Sequence, residues 1–211
     1  MPEEMPYLGP LDPRLENKAF REALEYYTRD FDIPEQPRIL DVGCERSIDI
    51  EVLEEFFGGV ITGINIQEEY IKKLSEEYTG NRHKFVHGDA RKAGKLAGRN
   101  FDVVVVRNSS TFSEGQEEMF KGCYSATKAE GIIISTCYLS FEFPVLHAYI
   151  RQAGYEIRTS EHNRFACPVS DNPFFKMATD GFIVVGQKKQ KTGMQKLWAW
   201  LNRDFYKLKT F

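Results

Sequence analysis

The sequence of 211 residues lacks long hydrophobic runs and an excess of charge of either sign. No apolar run approaches the roughly 20 residues that span a membrane. Lys and Arg number 28 against 31 Asp and Glu, and this near-balance gives no argument for bulk nucleic-acid binding. Residues 1–14 are rich in proline and acidic side chains and fit neither a secretory signal nor a transit peptide. We therefore expect a cytoplasmic protein with no nucleic-acid partner.

The sequence also lacks paired cysteines and clustered metal ligands. Its four cysteines, Cys44, Cys123, Cys137 and Cys167, have no CxxC spacing, and three of them lie in or beside apolar runs. This pattern favours buried free thiols in a reducing compartment. The histidines are not spaced as zinc ligands, so we expect no metal.

Closely spaced glycines are missing from the stretch ILDVGCERSID, residues 39–49, where an apolar strand runs into a single glycine. A dinucleotide-binding turn uses several glycines, which let the backbone approach a pyrophosphate. Here Gly43 is followed by Cys44 and Glu45, and the carboxylate of Glu45 would repel a phosphate. No acidic residue ends the second predicted strand either. A nicotinamide- or flavin-dependent oxidoreductase is therefore disfavoured.

What the chain does contain is a regular alternation of helical and strand-like patterns. Apolar runs predict strands over 38–42, 60–66, 84–87, 101–106 and 131–136. Helical spacing predicts helices over 14–30, 48–56, 70–78, 119–127 and 144–153, with at most a short helix between 89 and 100. Strand–helix alternation with near-continuous apolar strands is typical of a parallel sheet covered by helices on both faces.

The last two strand candidates, 155–160 and 181–187, are joined by a long loop without room for a crossover helix. We therefore expect them to form an antiparallel pair at or near the sheet edge. The whole pattern predicts one α/β domain. Its architecture would be a three-layer sandwich with a seven-stranded, mostly parallel sheet and an antiparallel last strand.

Ligands of open α/β sheets bind outside the carboxyl ends of the strands. The residues around each predicted strand end are therefore the candidates for a site. Five segments that carry these ends, in this order and at these intervals, are RILDVGC, ITGINIQEEYIKKL, KFVHGDA, FDVVVVRNSSTF and GIIIST. Together with GFIVVGQKK near residue 187, they resemble the class I S-adenosylmethionine-dependent methyltransferases, which have a Rossmann-like fold.

The resemblance implies S-adenosylmethionine as cofactor and methyl transfer to an unidentified, small-molecule acceptor. In that family the residues matching Asp41 and Gly43 cradle the methionine part. An acidic residue bridges the ribose hydroxyls where this chain has Asn65, and Asp89 and Ala90 match the pair that meets adenine. The implied cofactor-binding set is Asp41, Gly43, Cys44, Glu45, Asn65, Ile66, Asp89, Ala90 and Arg107. Asn108 and Tyr138 are candidates for the substrate side, and no catalytic residue is assigned.

Two positions depart from the family pattern. Asn65 offers one carbonyl acceptor and an amide donor instead of a carboxylate, which weakens a contact to two ribose hydroxyls. Glu45 replaces a glycine and adds a side chain and a negative charge. That charge is compatible with the sulfonium and ammonium groups of S-adenosylmethionine, whereas it would repel a phosphate. These departures keep a second hypothesis open, a catalytically inactive methyltransferase-like binding or scaffold protein.

Three segments are expected along the chain: a cap segment and helix over 1–36, a methyltransferase-like domain over 37–188, and a basic amphipathic helix over 189–211. Residues 188–211 carry seven Lys and Arg against one Asp, with an apolar stripe at helical spacing. That helix could dock on its own domain, contact a second copy as a homodimer, or lie on an anionic membrane surface through residues 190–211. Segment 1–30 and loop 161–179 are expected to close the pocket.

Overall fold

The computed structural model describes residues 13–108, 114–168 and 178–190. Its helices are α1 (Pro13–Thr28), α2 (Ser47–Phe57), α3 (Glu68–Glu77), α4 (Ala93–Leu96, after a 3-10 turn at Ala90–Lys92), α5 (Gln116–Ala126) and α6 (Phe143–Ala153). Its strands are β1 (Arg38–Val42), β2 (Val60–Asn65), β3 (Lys84–His87), β4 (Phe101–Val106), β5 (Thr127–Cys137), β6 (Glu156–His162), β7 (Cys167–Pro168), β8 (Ala178–Thr179) and β9 (Phe182–Gln187).

Seven strands form one sheet in the order β3-β2-β1-β4-β5-β9-β6. Strands β1 to β5 pair in parallel, and β9 runs antiparallel to both of its neighbours, β5 and β6. The predicted seven-stranded sheet and the predicted antiparallel pair at its edge are both confirmed. The strand order reverses between β1 and β4, which is where an open α/β sheet binds its ligand.

The sheet is buried on both faces, which explains the continuous apolar strands. Along β4, Val103 and Val105 belong to the core beneath α1, α2 and α3, whereas Val104 and Val106 belong to the core beneath α4, α5 and α6. Successive side chains of a strand point to opposite faces, so each strand serves both cores. The three-layer architecture follows from this pattern.

Two details of the chain differ from the sequence-based prediction. Strand β5 begins at Thr127 and not at residue 131. The sequence pattern places Thr127 in the preceding helix, because it continues the helical spacing of the apolar residues of α5. Its hydroxyl donates to the Cys123 carbonyl at 2.8 Å and contacts the Tyr155 hydroxyl at 2.6 Å, so the side chain still faces the helical core. The long loop before β9 is also not wholly irregular, because β7 and β8 pair within it.

Several predicted features lie outside the described residues. They include the amphipathic helix beyond residue 190 and the tip of the loop at 169–177. The interpretations of that helix as a docked, dimer-forming or membrane-bound element stay predictions. None of the described helices is long and apolar enough to cross a membrane. The described side chains form no cluster of three or more metal-ligating groups.

Candidate functional site

Two adjacent cavities lie at the carboxyl edge of the parallel strands. The first cavity, of about 350 Å³, is lined mainly by residues that follow β1, β4 and β5. The second cavity, of about 420 Å³, is lined by residues that follow β2 and β3 and by the start of α5. Val42, Gly43 and Glu45 line both cavities, so the turn after β1 lies at the boundary that the two cavities share.

The structure brings all the sequence-predicted candidates to these two cavities. The first cavity is lined by Asp41, Gly43, Cys44, Glu45, Arg107, Asn108 and Tyr138. The second is lined by Gly43, Glu45, Asn65, Ile66, Asp89 and Ala90. Their roles as ligands of a cofactor or substrate stay predictions.

The turn after β1 requires a glycine at position 43 only. Gly43 has φ +82°, a conformation that side-chain-bearing residues rarely adopt, and its N–H donates to the Ile64 carbonyl at 2.8 Å. Glu45 is exposed and is not in the left-handed region, so its backbone carries no strain of that kind. What Glu45 brings to the turn is therefore charge and a side chain at the mouth of the cavities.

Asp41 is the most unusual group in the first cavity. Its side chain is buried, the residue being 4% exposed, and its Oδ2 atom has no hydrogen-bond partner. Burial raises the pKa of Asp41 to about 8, and the nearby carboxylates of Asp49 and Glu45 add to the rise while Arg107 opposes it. A buried, unpartnered carboxylate is costly unless a ligand supplies a hydrogen bond or a positive charge.

Arg107 forms the centre of a buried ion-pair cluster. Its Nε and Nη2 donate to Asp180 Oδ2 at 2.9 and 2.7 Å, and its Nη1 contacts Asp49. Its guanidinium also covers the ring of Phe20 on α1, with 4.3 Å from Cζ to the ring centroid. Burial by itself would lower the pKa of Arg107, but Asp180 and Asp49 raise it above its usual value. Arg107 is thus a permanently charged, fixed wall of the first cavity.

The cluster extends to α1 through Arg46. Arg46 Nη1 donates to Glu16 Oε2 at 2.8 Å, and its Nε donates to Asp49 Oδ2 at 3.2 Å. The side chains of Glu16, Arg46, Asp49, Arg107 and Asp180 therefore alternate in sign, and we call them the charge chain. It links α1, the turn after β1, α2, β4 and the turn before β9.

Sequence reasoning identified Arg107 but missed its partners. Asp180 lies two residues before the antiparallel strand β9, whose beginning lies at the same edge as the ends of the parallel strands. Reading the start of the antiparallel strand would have found it. Asp49 and Arg46 follow β1 too far along the chain to be counted as strand-end residues.

Asn108 has a structural role as well as a position at the cavity. Its N–H donates to Thr136 Oγ1 at 2.8 Å, and its Oδ1 accepts the Asp180 N–H at 2.9 Å. Thr136 in turn donates to Asp180 Oδ1 at 2.6 Å. Asn108 therefore ties the end of β4 to the turn before β9, while Tyr138 lines the same cavity from the segment after β5.

In the second cavity the predicted polar groups already have partners within the protein. Asn65 Nδ2 donates to the Cys44 carbonyl at 2.9 Å, and Asn65 Oδ1 accepts the Gln67 N–H at 2.8 Å. One N–H and one lone pair of this amide remain for a ligand. Ile66 follows as a largely exposed apolar side chain at the cavity wall.

Asp89 is paired with Arg91. Its carboxylate accepts from Arg91 N at 2.8 Å and from Arg91 Nε at 2.6 Å, and the hydrogen bond from the Arg91 side chain lowers the pKa of Asp89. Ala90 begins the 3-10 turn beside it. The polar wall of the second cavity is therefore preformed and largely satisfied.

Helix α1 lines the first cavity through Phe20 and packs against the start of the long loop. Tyr26 and Tyr27 pack against Phe165, with ring centroids 5.7 and 6.3 Å apart, and the Tyr27 hydroxyl donates to Glu161 Oε1 at 3.0 Å. The start of the long loop is thus joined to α1. Residues 1–12 and the loop tip, which include Tyr7, Pro173, Phe174 and Phe175, lie outside the described residues.

Part of the chain matches a known family. Residues 40–135 match the model described as a methyltransferase domain. A curated relative, the phosphoethanolamine N-methyltransferase of Plasmodium falciparum (isolate 3D7), is 23% identical over 146 residues. The match covers 66% of this chain and 55% of the relative, so the chain spans about half the length of that relative.

Solved structures share the fold. One is the 1,6-didemethyltoxoflavin-N1-methyltransferase of Burkholderia thailandensis with bound 1,6-didemethyltoxoflavin and S-adenosylhomocysteine. It has 15% identity and a TM-score of 0.59, with 85% of this chain and 80% of that chain covered. Another is the [4+2]-cyclase SpnF, at 17% identity and a TM-score of 0.62, with 82% of this chain and 83% of that chain covered.

Proposed function

We propose that the chain is a class I S-adenosylmethionine-dependent methyltransferase and transfers a methyl group from S-adenosylmethionine to a small-molecule acceptor. The match of residues 40–135 to a methyltransferase domain supports this proposal, as does the fold shared with a solved methyltransferase. When bound, the cofactor supplies an electrophilic methyl group on a positively charged sulfur. The protein supplies the binding surfaces, the orientation of the acceptor and the exclusion of water, which provide most of the acceleration in such displacements.

The two cavities suit the two halves of the cofactor. The second cavity, with Ile66, Asn65 and Asp89, would hold the adenosine, and the first cavity, with Asp41, would hold the methionine. Glu45 lines both cavities, so in this arrangement it would stand at the level of the sulfur that joins the halves. Arg107 and Asn108 would then line the end of the first cavity that the acceptor enters.

The observation that carries this proposal is the unpartnered carboxylate of Asp41. A buried carboxylate with a pKa of about 8 is stabilised by a cationic ligand, and the cofactor carries both a sulfonium and an ammonium group. A pyrophosphate-bearing cofactor would face Asp41, Asp49 and Glu45 with like charge. The charge of the site thus favours S-adenosylmethionine over NAD or FAD.

The proposal of a small acceptor is supported by the size of the first cavity and by the relatives. About 350 Å³ must hold the methionine part and the reacting end of the acceptor. Two similar proteins, a phosphoethanolamine N-methyltransferase and a 1,6-didemethyltoxoflavin-N1-methyltransferase, are named for small acceptors. The identity of the acceptor in this chain is not implied by either name.

Calorimetric titration tests the proposal. We expect S-adenosylmethionine and S-adenosylhomocysteine to bind with micromolar dissociation constants and NAD to give no heat. Absence of heat and of a thermal shift with either adenosyl ligand at millimolar concentration would contradict the assignment.

A second candidate function is a methyltransferase-like binding module without transfer activity. The observation that favours it is that Asn65 and Asp89 already have partners within the protein. The fold itself also occurs in a protein named as a cyclase. Cofactor binding with no loss of the methyl group to any acceptor would select this second function.

A further inference from the structure

We propose that the methyl acceptor enters the first cavity as a cation and is an amine, not an alcohol, carboxylate or phosphate. This inference rests on the proposed function and names the substrate class of the same site. It is carried by the charges that the structure places in the cavity wall.

Both guanidinium groups of the charge chain are already paired with carboxylates, so neither is available to an anionic acceptor. Arg107 is shared between Asp180 and Asp49, and Arg46 is shared between Asp49 and Glu16. Three carboxylates thus surround two guanidinium groups. Each guanidinium already donates to two carboxylates, so an anionic acceptor would have to displace one of them.

Two further carboxylates line the same cavity outside the chain. Asp41 is buried with an unpartnered oxygen, and Glu45 stands exposed at the mouth. Among the described residues that line the cavity, Arg46 and Arg107 are the cations. The side chains that line the cavity sum to a formal charge of −1, and the ion-pair partners Glu16 and Asp180 bring the sum to −3, or −2 with Asp41 protonated. The cofactor brings one net positive charge, so the lining and its ion-pair partners together stay negative when it is bound.

The segment after β4 does not change this balance, whatever its placement. Residues 109–113 read SSTFS and carry no charge. Residues 1–12 contain only acidic charged side chains, and residues 169–177 contain one lysine and one aspartate. The segments expected to close the pocket therefore add no excess of positive charge.

Tyr138 adds an aromatic wall in the same negative environment. Burial raises its pKa, and the carboxylates of Asp180 and Glu16 raise it further while the nearby arginines oppose them. An aromatic side chain together with an excess of carboxylate is the chemistry that recognises an ammonium group. Tyr138 and the charge chain therefore present complementary features to a cationic amine.

The reaction balances for such an acceptor. The bound ammonium loses one proton to water, and the freed nitrogen lone pair forms a bond to the methyl carbon. The carbon–sulfur bond breaks as its electron pair goes to sulfur, which becomes a neutral thioether. The product is a methylated ammonium. The charges of the reacting ammonium and sulfonium, +2 in total, are thus found afterwards on the methylated ammonium and on the proton released to water.

Matched probes test this inference on the full chain loaded with S-adenosylhomocysteine. We would titrate two triads that differ in charge and little in shape: benzylamine, benzyl alcohol and benzoate, then ethanolamine, ethylene glycol and glycolate. At millimolar concentration we expect at least one amine to bind about tenfold more tightly than its neutral partner. Replacing the product with S-adenosylmethionine should add one methyl group to that amine, measured by mass spectrometry.

The outcomes separate this inference from the proposed function. No binding of S-adenosylhomocysteine refutes the proposed function. Binding of the cofactor product together with equal or tighter binding of an alcohol or anion overturns the amine inference, and so does failure of both amines to bind.

Variants localise the effect. Asp49→Asn should weaken amine binding several-fold and leave the neutral partner unchanged. If that variant fails to fold, Glu45→Gln at the exposed mouth provides the same test. Glu51→Gln removes an equal charge from an exposed position on α2 outside the cavity and should change nothing. An equal effect of Glu51→Gln would show that the preference comes from net charge and not from this wall.

Discussion

The two cavities differ in how their polar groups are satisfied before any ligand binds. In the second cavity, Asn65 bonds to Cys44 and Gln67, and Asp89 bonds to Arg91. In the first cavity, Asp41 is buried without a partner for one oxygen, beside a buried cluster of alternating charges. Asn65 and Asp89 of the second cavity are therefore already held by partners within the protein, whereas the first cavity contains a buried carboxyl oxygen without one.

Under the proposed function, this difference would give the two cavities different tasks. A satisfied polar wall positions a neutral group with little electrostatic gain, which suits an adenosine. An unsatisfied carboxylate costs folding free energy that a cationic ligand can return on binding, which suits a sulfonium and an ammonium. Substitutions in the first cavity should therefore change stability and affinity strongly, and substitutions in the second should change them less.

The largest expected effect is on stability, from Arg107→Ala. This change leaves Asp180 and Asp49 facing each other in the interior without their shared cation. Loss of one partner from a buried ion-pair cluster costs about 3–5 kcal/mol, so the free energy of unfolding in urea should fall by that amount. Arg107→Lys should cost less, because a lysine keeps the charge but cannot bond in the same forked geometry.

The matched change in the second cavity is Arg91→Ala. Arg91 pairs with Asp89 at the surface, where solvent screens the interaction. We expect the urea midpoint of this variant to stay close to that of the wild type. A loss comparable to that of Arg107→Ala would contradict the contrast between the two cavities.

The next effect is at Asp41, where stability and cofactor binding should change in opposite directions. The folded-state pKa of about 8 lies above the ordinary value, so between about pH 4 and pH 8 the folded state holds a proton that the unfolded state has lost. Stability contributed by this group therefore falls as pH rises through that window. Asp41→Asn should remove this decline, and its advantage in unfolding free energy should grow from pH 5 to pH 8.

The same substitution should weaken cofactor binding about 10- to 100-fold, because a charge-assisted contact contributes about 1.5–3 kcal/mol. In the wild type at pH 7, binding of the cationic cofactor should ionise Asp41 and release a proton. Calorimetry in phosphate and in Tris buffer measures this release, since the buffers differ in ionisation enthalpy. Buffer-independent heats in the wild type would show that Asp41 does not respond to the cofactor.

The fold, and the position of the two cavities at the carboxyl ends of the strands, were predictable from the order of strands and helices. Residues Asp41, Asn65 and Asp89 occupy consecutive strand ends, and a parallel sheet brings such ends to one edge. The internal hydrogen bonds of Asn65 and the arginine partner of Asp89 were not predictable, because they depend on side-chain placement in the turns. The ion pair between Arg107 and Asp180 joins residues far apart in sequence and depends on the insertion of β9 beside β5.

Glu45 shows why the sequence pattern alone gave an ambiguous answer. The pattern marks a missing glycine, whose loss would matter if the backbone needed a left-handed conformation there. In the structure Gly43 takes that conformation and Glu45 does not. The departure is therefore one of charge at the mouth of the cavities, and it does not by itself argue for an inactive protein.

A moderate effect is expected at Asn65. It tests whether the internal hydrogen bond to Cys44 or a contact to the ribose matters more at this position. Asn65→Asp would restore the carboxylate of the family pattern but would place it against the Cys44 carbonyl, to which the amide now donates. We expect a loss of about 1–3 kcal/mol in unfolding free energy, measured in urea, because a buried hydrogen bond is replaced by repulsion. The dissociation constant of the cofactor should not fall. Tighter binding by this variant would show that the ribose contact outweighs the internal bond.

The smallest effect is expected at Glu45, whose side chain is exposed and lines both cavities. Glu45→Gln should leave the unfolding free energy within about 0.5 kcal/mol of the wild type. A single charge about 4 Å away in a water-like environment contributes about 1 kcal/mol, so S-adenosylmethionine should bind about two- to fivefold more weakly. S-adenosylhomocysteine lacks the sulfonium charge and should lose less affinity, which places Glu45 near the sulfur. An equal loss for both ligands would instead place Glu45 near the ammonium group that they share, and an unchanged ratio with unchanged affinities would remove Glu45 from the site.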